Sequence, residues 1–392
     1  MLSGRRGSWK NPRMRLLHTS DWHIGKRFEE TDLIPQQALF CDWIVDFVKQ
    51  EQIEVVLLAG DIFDRALPKS DAIDLVDDVF NRLSDAGATI VAISGNHDSA
   101  AALNLGSRFM HGAGLYIRTE RQTLTDIGAP VTIHGKNKTD SVEILPLPYI
   151  DPQRVVLPEG SARQHDVALE LVLNHHKNSL TDISKTIAMS HSFVAGGLES
   201  DSERPLQVGG TGMVPASLFA DFAYVALGHL HRPQTVGSER IVYSGSPMAY
   251  SFSEQHQKSI RVIDVEKDIT STVVNVEVGR PVVTLTDSLE NLLKLADYGV
   301  HTDSFLRARL TDTSLQIGVA DKLRQRFPHV VAVEQIALSQ QGQLSLEEMQ
   351  KTARLSPEKI VHRYIEETFD EPDVFRDELI NGSLSAAMKG DH

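Results

Sequence analysis

The stretch that decides the fold class is Val55-Val56-Leu57-Leu58-Ala59-Gly60-Asp61-Ile62-Phe63-Asp64, in which an apolar run ends in a glycine and two carboxylates. A short, continuous apolar run bounded by glycine predicts a β-strand. The glycine allows the backbone to turn sharply as it leaves the strand. In layered α/β sheets, loops at strand ends are where functional sites assemble, so Asp61 and Asp64 are candidate site residues.

The same arrangement recurs along the chain, and it predicts an α/β protein. Apolar runs alternate with amphipathic helices, one of which carries Phe40, Ile44 and Val48 on one face. Ser70 is expected to cap the next helix. Strands are predicted at Met14–His18, Val55–Ala59, Thr89–Ile93, Val142–Leu147, Thr186–Met189, Phe222–Leu227, Ile260–Val265 and Thr270–Val278.

The composition limits the classes of protein that fit. The chain has 392 residues, 41% of them hydrophobic, and 39 Lys and Arg against 53 Asp and Glu give a net charge of −14. A protein that binds nucleic acid unaided usually presents a basic face, so here such a face must be local or come from a partner. The single cysteine, Cys41, excludes an internal disulfide and a cysteine-based zinc site, and we expect it to be a buried packing residue.

The chain divides into four segments by pattern. We expect a basic tail at 1–13, a first domain at 14–280, a small α+β capping domain at 281–340 and a helical segment at 341–392. No apolar run approaches the ~18 residues of a membrane span, and the first residues lack the apolar core of a signal peptide. A cytoplasmic protein, associated with the nucleoid when it acts on DNA, is therefore expected.

The chemistry is indicated by five clusters of His, Asp and Asn that each follow a predicted strand. One such histidine alone is more often a hydrogen-bonded loop residue. Five such clusters, each at the end of a predicted strand, indicate more than a structural role. Imidazole ligands suit manganese, iron or zinc, and seven ligands suit two ions about 3.5–4 Å apart, with Asp61 as the best bridge. The clusters are Asp21-x-His23, Gly60-Asp61-x-x-Asp64, Gly95-Asn96-His97-Asp98, His191 and Gly228-His229-x-His231.

This ordered set resembles that of the calcineurin-like metallophosphoesterases over residues 14–280, which implies a layered β-sandwich flanked by helices. Many relatives carry glycine where this chain has Ser190, a difference that leaves the ligand assignment in place. The resemblance implies a first ion held by Asp21, His23, Asp61 and His231. It implies a second ion held by Asp61, Asn96, His191 and His229.

The resemblance also implies roles in phosphodiester hydrolysis. Metal coordination lowers the pKa of water into the neutral range, and that water attacks the phosphorus. His97 is not needed as a ligand and is placed to protonate the leaving 3′ oxygen. A carboxylate should orient His97, with Asp64 favoured and Asp98 second, although Asp64 could equally be a helix-start carboxylate. His18 lies inside a strand and is expected to be structural.

The strings Leu17–His23, Gly60–Asp64 and Ala226–His231 are most similar to those of the DNA nucleases in this superfamily. The similarity implies an exonuclease with 3′–5′ polarity on duplex ends and an endonuclease on single strands and hairpins, active in double-strand-break processing. It implies two Mn²⁺ ions, with Mg²⁺, Fe²⁺ or Zn²⁺ as substitutes, and a homodimer within a heterotetramer containing an SMC-like coiled-coil ATPase. The alternatives are a dimetal phosphomonoesterase or small-substrate phosphodiesterase, and a non-catalytic metal-binding scaffold.

Three further features complete the sequence prediction. Gly209-Gly210-Thr211-Gly212 lacks the Lys-Ser/Thr of a phosphate-binding loop, so no ATP site is expected in this chain. Lys26, Arg27 and Phe28 could contact DNA or form a solvated loop, whereas Arg307 and Arg309 favour a solvated strand face. Two apolar stripes, around Tyr364 and Phe375, predict short helices that bind the ATPase.

Overall fold

The computed structural model describes residues 14–120, 127–137, 140–203, 212–314, 316 and 318–336. The predicted tail at 1–13, most of the glycine-rich run at 209–212 and the helical segment at 341–392 lie outside the described residues.

The first of two large sheets has six strands. Its central strands run parallel because each is followed by a helix or loop that returns the chain to the same edge. Two late strands extend it: Ser259–Val265 is antiparallel to the first strand of the chain, and Ile269–Asn275 is antiparallel to Ser259–Val265. In spatial order the strands are Ile269–Asn275, Ser259–Val265, Met14–Thr19, Val55–Ala59, Thr89–Ile93 and Leu115–Arg118.

The second large sheet also has six strands, and its four central strands are parallel. Antiparallel strands close both of its edges. In spatial order they are Gln234–Val236, Ser238–Tyr243, Tyr224–Gly228, Ile187–His191, Ser141–Leu147 and Val131–His134.

The two sheets pack face to face with helices on both outer sides. Alternate residues of each strand point to opposite faces, so Leu57 contributes to the core between the sheets and Leu58 to the core beneath the helices. A third core lies between the second sheet and the helix His165–Lys177. The predicted layered α/β sandwich flanked by helices is confirmed.

The helices differ from the sequence prediction in detail. The first two long helices cover the first sheet, and Cys41 is buried in the core beneath them, as expected. Ser70 is the first helical residue rather than the cap, which is Lys69 and makes no side-chain capping bond. The α-helices are Ile34–Gln50, Ser70–Asp85, Ala100–Asn104, Ser107–Met110, His165–Lys177, Leu289–Lys294 and Val319–Arg324.

A small three-stranded parallel sheet follows the two large sheets along the chain, and it has a hydrophobic core of its own. It packs on the larger body through aromatic rings: Phe28 lies 5.5 Å from Phe305 and 4.8 Å from Phe252 between ring centroids. Its strands are Val282–Asp287, Phe305–Leu310 and Val330–Gln335. Among the described residues, no helix has both the length and the apolar character needed to span a bilayer.

Candidate metal centre

The carboxyl ends of the parallel strands of both sheets meet at one edge of the sandwich, and all five predicted clusters lie there. The two loops that follow strands Met14–Thr19 and Val55–Ala59 are joined by main-chain hydrogen bonds beyond the ends of these strands. Asp21 donates its N–H to the carbonyl of Gly60 at 3.0 Å, and His23 donates to the carbonyl of Asp61 at 2.9 Å. The ligands are therefore fixed by main-chain pairing as well as by side-chain contacts.

Four of the seven predicted ligands have left-handed backbone conformations, which non-glycine residues rarely adopt. Their φ angles are 54° at Asp21, 43° at His23, 50° at Asp61 and 106° at His229. Such conformations cost on the order of 1–3 kcal/mol each and persist where the surrounding structure enforces them. Their concentration here identifies this edge as the functional part of the sandwich.

The ligands predicted for the first ion converge. The Nε2 atoms of His23 and His231 face each other at 3.1 Å. A carboxylate oxygen of Asp21 lies with nitrogen atoms of both histidines inside a group whose members are within 4.8 Å of one another. All three side chains are buried, so their ligand atoms point inward rather than toward solvent.

The ligands predicted for the second ion converge beside the first group. Oδ1 of Asn96 lies 2.9 Å from Nε2 of His191 and 3.3 Å from Nδ1 of His229. Because the amide and the two imidazoles come from three different strand ends, only the folded sandwich brings them together.

Asp61 joins the two groups. Its Oδ2 atom lies 3.5 Å from Nε2 of His23 and also 3.5 Å from Nε2 of His191. One carboxylate oxygen is therefore adjacent to ligand atoms of both predicted ions. This is the geometry that a bridging carboxylate requires.

Protein atoms hold the ligand rings in place from behind. Nδ1 of His191 bonds the carbonyl of Ala59 at 2.9 Å, which directs Nε2 toward Asp61. The carboxylate of Asp21 accepts the main-chain N–H of His229 at 2.9 Å. Such outer contacts set the tautomer and orientation of metal-binding histidines.

Burial sets the charge of these ligands. It lowers the pKa of His23 and His229 well below the usual value, so both imidazoles are neutral, the form that binds metal. Burial raises the pKa of Asp21 to about 6. Burial alone would also raise the pKa of Asp61, but the charge and hydrogen bond of His191 hold it well below its usual range.

These residues fit divalent metal ions. Four imidazoles, two carboxylates and an amide oxygen form a donor set that suits manganese, iron or zinc. Among the described residues, Nδ1 of His23 and Nε2 of His229 are buried with no hydrogen-bond partner. These are the ring nitrogens opposite the ones that converge in the two groups, so the fit to metal ions rests on the donor set and its convergence.

His97 lies next to the two groups, and its ring centroid is 4.6 Å from that of His23. Its Nδ1 atom bonds the main-chain carbonyl of Asp64 at 2.8 Å, whereas the sequence predicted that a carboxylate, favoured to be that of Asp64, would orient the ring. The carboxylate of Asp64 instead bonds Lys26 at 2.9 Å. The alternative, Asp98, accepts N–H groups from Ile62, Phe63 and Gly95, and so ties two ligand loops together.

The remaining residues named from the sequence have structural partners. His18 is fully buried and bonds Tyr224 and the carbonyl of Leu227, which confirms it as structural. Phe28 is buried, and the guanidinium of Arg307 lies 4.3 Å over the ring of Phe252 rather than on a solvated face. Arg309 is bonded to Glu334, and Arg27 to Glu30.

An open cleft of about 1300 Å³ lies on the His97 side of the centre. Asn96 and His97 form its floor, Tyr149 lines a wall, and Arg65 and Arg154 are mostly exposed beside it.

The contacts that sequence reasoning missed lie behind His231. Half-buried Ser202 forms a polar network there with the buried side chains of Glu254 and Lys258, although no short motif connects the three. The sequence signal was a charged pair four residues apart in the polar run Glu254-Gln255-His256-Gln257-Lys258, and such pairs are too common to single out.

Comparison with known proteins agrees with this geometry. Residues 14–233 match the calcineurin-like phosphoesterase family, and residues 278–369 match the family described as the Type 5 capsule protein repressor C-terminal domain. The chain belongs to the calcineurin-like phosphoesterases and is a metal-dependent phosphodiesterase.

Within that class it belongs to the SbcD family, the D subunits of the nuclease SbcCD. It is 36% identical to SbcD of Bacillus subtilis over 79% of this chain and 80% of the relative. It is 31% identical to SbcD of Staphylococcus saprophyticus, over 82% and 84%. Among solved structures it is similar to a dimetal phosphatase from Danio rerio, with 14% identity, a TM-score of 0.41, and coverage of 68% of this chain and 97% of that one.

Proposed function

We propose that this chain is a manganese-dependent DNA nuclease that hydrolyses phosphodiesters with two metal ions. The observation that carries the proposal is the position of Asp61, whose Oδ2 atom is 3.5 Å from ligand nitrogens of both groups. As in related SbcCD nucleases, the substrates would be duplex ends for 3′–5′ exonuclease activity, and single strands and hairpins for endonuclease activity.

Seven side chains would hold the two ions. Bound there, the ions supply a lowered pKa for the attacking water and positive charge against the phosphate oxygens. Asp61 would serve both ions. The first ion would be held by Asp21, His23, Asp61 and His231, and the second by Asp61, Asn96, His191 and His229.

His97 would act as the general acid toward the leaving 3′ oxygen. The carbonyl of Asp64 accepts a hydrogen bond from Nδ1–H, so the proton given to the leaving group would be the one on Nε2. The same carbonyl stabilises the protonated ring because it accepts from a cationic donor. Asp64 is thus proposed to orient His97 through its main chain, while its carboxylate is neutralised by Lys26.

The cleft beside His97 would take the DNA strand. Arg65 and Arg154 can approach its phosphates, and Tyr149 presents a ring toward the same space. Two arginines are a small basic surface for a chain of charge −14. We therefore propose that an SbcC-type coiled-coil ATPase supplies the remaining basic surface and the ATP dependence, and that the segment 341–392 binds it.

We also propose a homodimer as the working form. The short helices at 100–110 expose two large apolar side chains beside the cleft, Leu105 at 80% and Phe109 at 89%. Exposed apolar side chains clustered on one surface are typical of a protein interface. Sedimentation should show a dimer for the wild type and a monomer for Phe109→Glu, and a dimeric variant would contradict this interface.

The substrate class is tested by assaying the metal-loaded chain on two substrates. Labelled hairpin DNA should be cut in Mn²⁺, and p-nitrophenyl phosphate should be hydrolysed poorly. The matched control is His134→Asn, an exposed histidine far along the second sheet, which should behave like the wild type. Efficient monoester hydrolysis without DNA cleavage would instead assign a phosphomonoesterase, and metal binding without either activity would assign a scaffold.

A further inference from the structure

A buried ion pair lies behind the first-ion ligand His231. The carboxylate of Glu254 contacts the ammonium of Lys258, and their side chains are 0% and 9% exposed. A buried ion pair contributes little to stability on balance, because removing both charges from water offsets their attraction. Stability alone therefore does not explain why this ion pair lies next to the proposed metal ligand His231.

The pair is connected to the ring of His231 mainly through one hydroxyl, because the direct contact between Nδ1 of His231 and Oε1 of Glu254 is long, at 3.5 Å. Oγ of Ser202 lies 2.7 Å from Nδ1 of His231 and also bonds Oε1 of Glu254. Because Glu254 can only accept, the hydroxyl donates to it and accepts the N–H of Nδ1. With the proton on Nδ1, Nε2 of His231 carries no proton, and its lone pair faces His23.

The main chain of His231 is held by the same group of residues. Lys258 donates to the carbonyl of His231 at 3.2 Å and to Oγ of Ser246 at 2.9 Å. The N–H of His231 donates to Glu203 at 2.7 Å. The ring, the carbonyl and the N–H of this residue are therefore all anchored.

We infer that Glu254, with its charge balanced by Lys258, is a positioning residue that acts through Ser202 to make His231 a ligand for the first ion. The inference rests on the proposed two-metal function. The carboxylate strengthens the imidazole as a donor, while the lysine balances the charge of Glu254. His191, in the second group, is backed by the carbonyl of Ala59 instead, so the effect is specific to the first ion.

The direct test is Mn²⁺ titration by calorimetry, which reads metal affinity rather than catalysis. Ser202→Ala should weaken one of two sites about 10–100-fold, the usual effect of losing such an outer contact, and leave the other unchanged. Ser202→Thr keeps the hydroxyl and should restore wild-type affinity. Ser184→Ala, which removes a hydroxyl that bonds Asp182 at an exposed turn, is the matched control.

A second variant tests the charge pair without leaving a buried charge unpaired. Glu254→Gln combined with Lys258→Met should weaken the same site as Ser202→Ala. Repeating the titration in an Asn96→Ala background, which removes a second-ion ligand, assigns the weakened site to the first ion.

The outcomes separate this inference from the proposed function. Two unchanged Mn²⁺ affinities in Ser202→Ala and in the double variant would overturn the positioning role while leaving the two-metal function in place. Equal weakening of both sites would also overturn it, because a merely structural role predicts that result. A wild-type chain that bound fewer than two ions would contradict the proposed function itself and this inference with it.

Discussion

The main-chain N–H of His97 donates a hydrogen bond of 2.9 Å to Oδ1 of Asp61. The other oxygen of the same carboxylate, Oδ2, is the atom adjacent to both ligand groups. The two oxygens therefore have separate roles: one faces the proposed ions, and the other fixes the backbone of the proposed general acid. The proposed metal binding and the proposed proton donation therefore both depend on the Asp61 side chain.

Asp61→Asn should lower metal occupancy as well as activity. The amide oxygen can still accept from His97, but the charge that holds two cations close together is lost. Metal analysis after desalting should find fewer than two Mn²⁺ per chain. The control is Asp268→Asn, at an exposed turn, which should keep two. Two tightly bound ions in Asp61→Asn would count against the shared-ligand role.

His97→Gln should separate chemistry from binding. Glutamine cannot protonate a leaving oxygen, so cleavage of hairpin DNA should fall by about 10²–10⁴, the usual contribution of a general acid. Both Mn²⁺ ions should remain bound, because the ligand set is intact. Cleavage at the wild-type rate in this variant would rule out His97 as the acid.

Gly95→Ala should disrupt the centre through sterics alone. A Cβ atom at Gly95 would overlap the carboxylate and the main-chain nitrogen of Asp61. The nitrogen belongs to the backbone and the carboxylate is held by the N–H of His97, so neither group can easily move aside. We expect loss of Mn²⁺ binding and a lower unfolding temperature. Gly112→Ala is the matched control, since a Cβ atom there meets nothing within 4 Å. Equal metal affinity in the two variants would show that the loop adapts.

Acid should destabilise the fold through His18. Burial lowers its pKa to about 3, so the folded chain stays neutral there while the unfolded chain takes up a proton below 6.5. The free energy of unfolding should therefore fall as pH drops from 6.5 toward 3, by about 1.4 kcal/mol per unit from this group.

Urea unfolding of the metal-free protein at pH 7.5 and 5 measures the effect of His18. His18→Asn should be less stable at pH 7.5, because it loses buried bonds to Tyr224 and Leu227, but its stability should change less between the two pH values. His134→Asn should keep the wild-type dependence. An unchanged dependence in His18→Asn would refute the assignment.

Truncation at Gln341 should separate hydrolysis from ATP dependence. The metal ligands all precede this residue, so Mn²⁺ binding and weak nuclease activity should persist. Stable association with the SbcC-type ATPase and ATP-stimulated cutting of duplex ends should be lost, since the apolar stripes around Tyr364 and Phe375 are removed. Co-purification at full strength would show that the ATPase binds elsewhere.

The sequence was sufficient to predict the sandwich and the candidate ligands that meet at one edge of it, because both depend on local patterns. An apolar run that ends in Gly60-Asp61 predicts both a strand and what lies at its end. The structure bears out the strands at Val55–Ala59 and Thr89–Ile93 to the residue. Hydrophobic periodicity and turn-forming residues act over a few positions, so a single sequence is enough to recognise them.

Contacts between distant segments could not be predicted in the same way. His97 is hydrogen-bonded to the main-chain carbonyl of Asp64. Because every residue has such a carbonyl, the type of side chain could not predict this contact. Ser202 and Glu254 meet behind His231 although 52 residues separate them. Arg307 looked solvated because its partner, Phe252, lies outside its own sheet.

The bonds behind the ligands have a consequence for how the enzyme matures in the cell. His191 is fixed by Ala59, His231 by Ser202, and Asp21 by His229, all through atoms of the protein itself. We therefore expect the chain to fold before it meets a cation, unlike a zinc finger, whose folding is driven by its metal. Which cation the finished enzyme acquires is then decided by cellular supply and ligand preference, after synthesis and folding are complete.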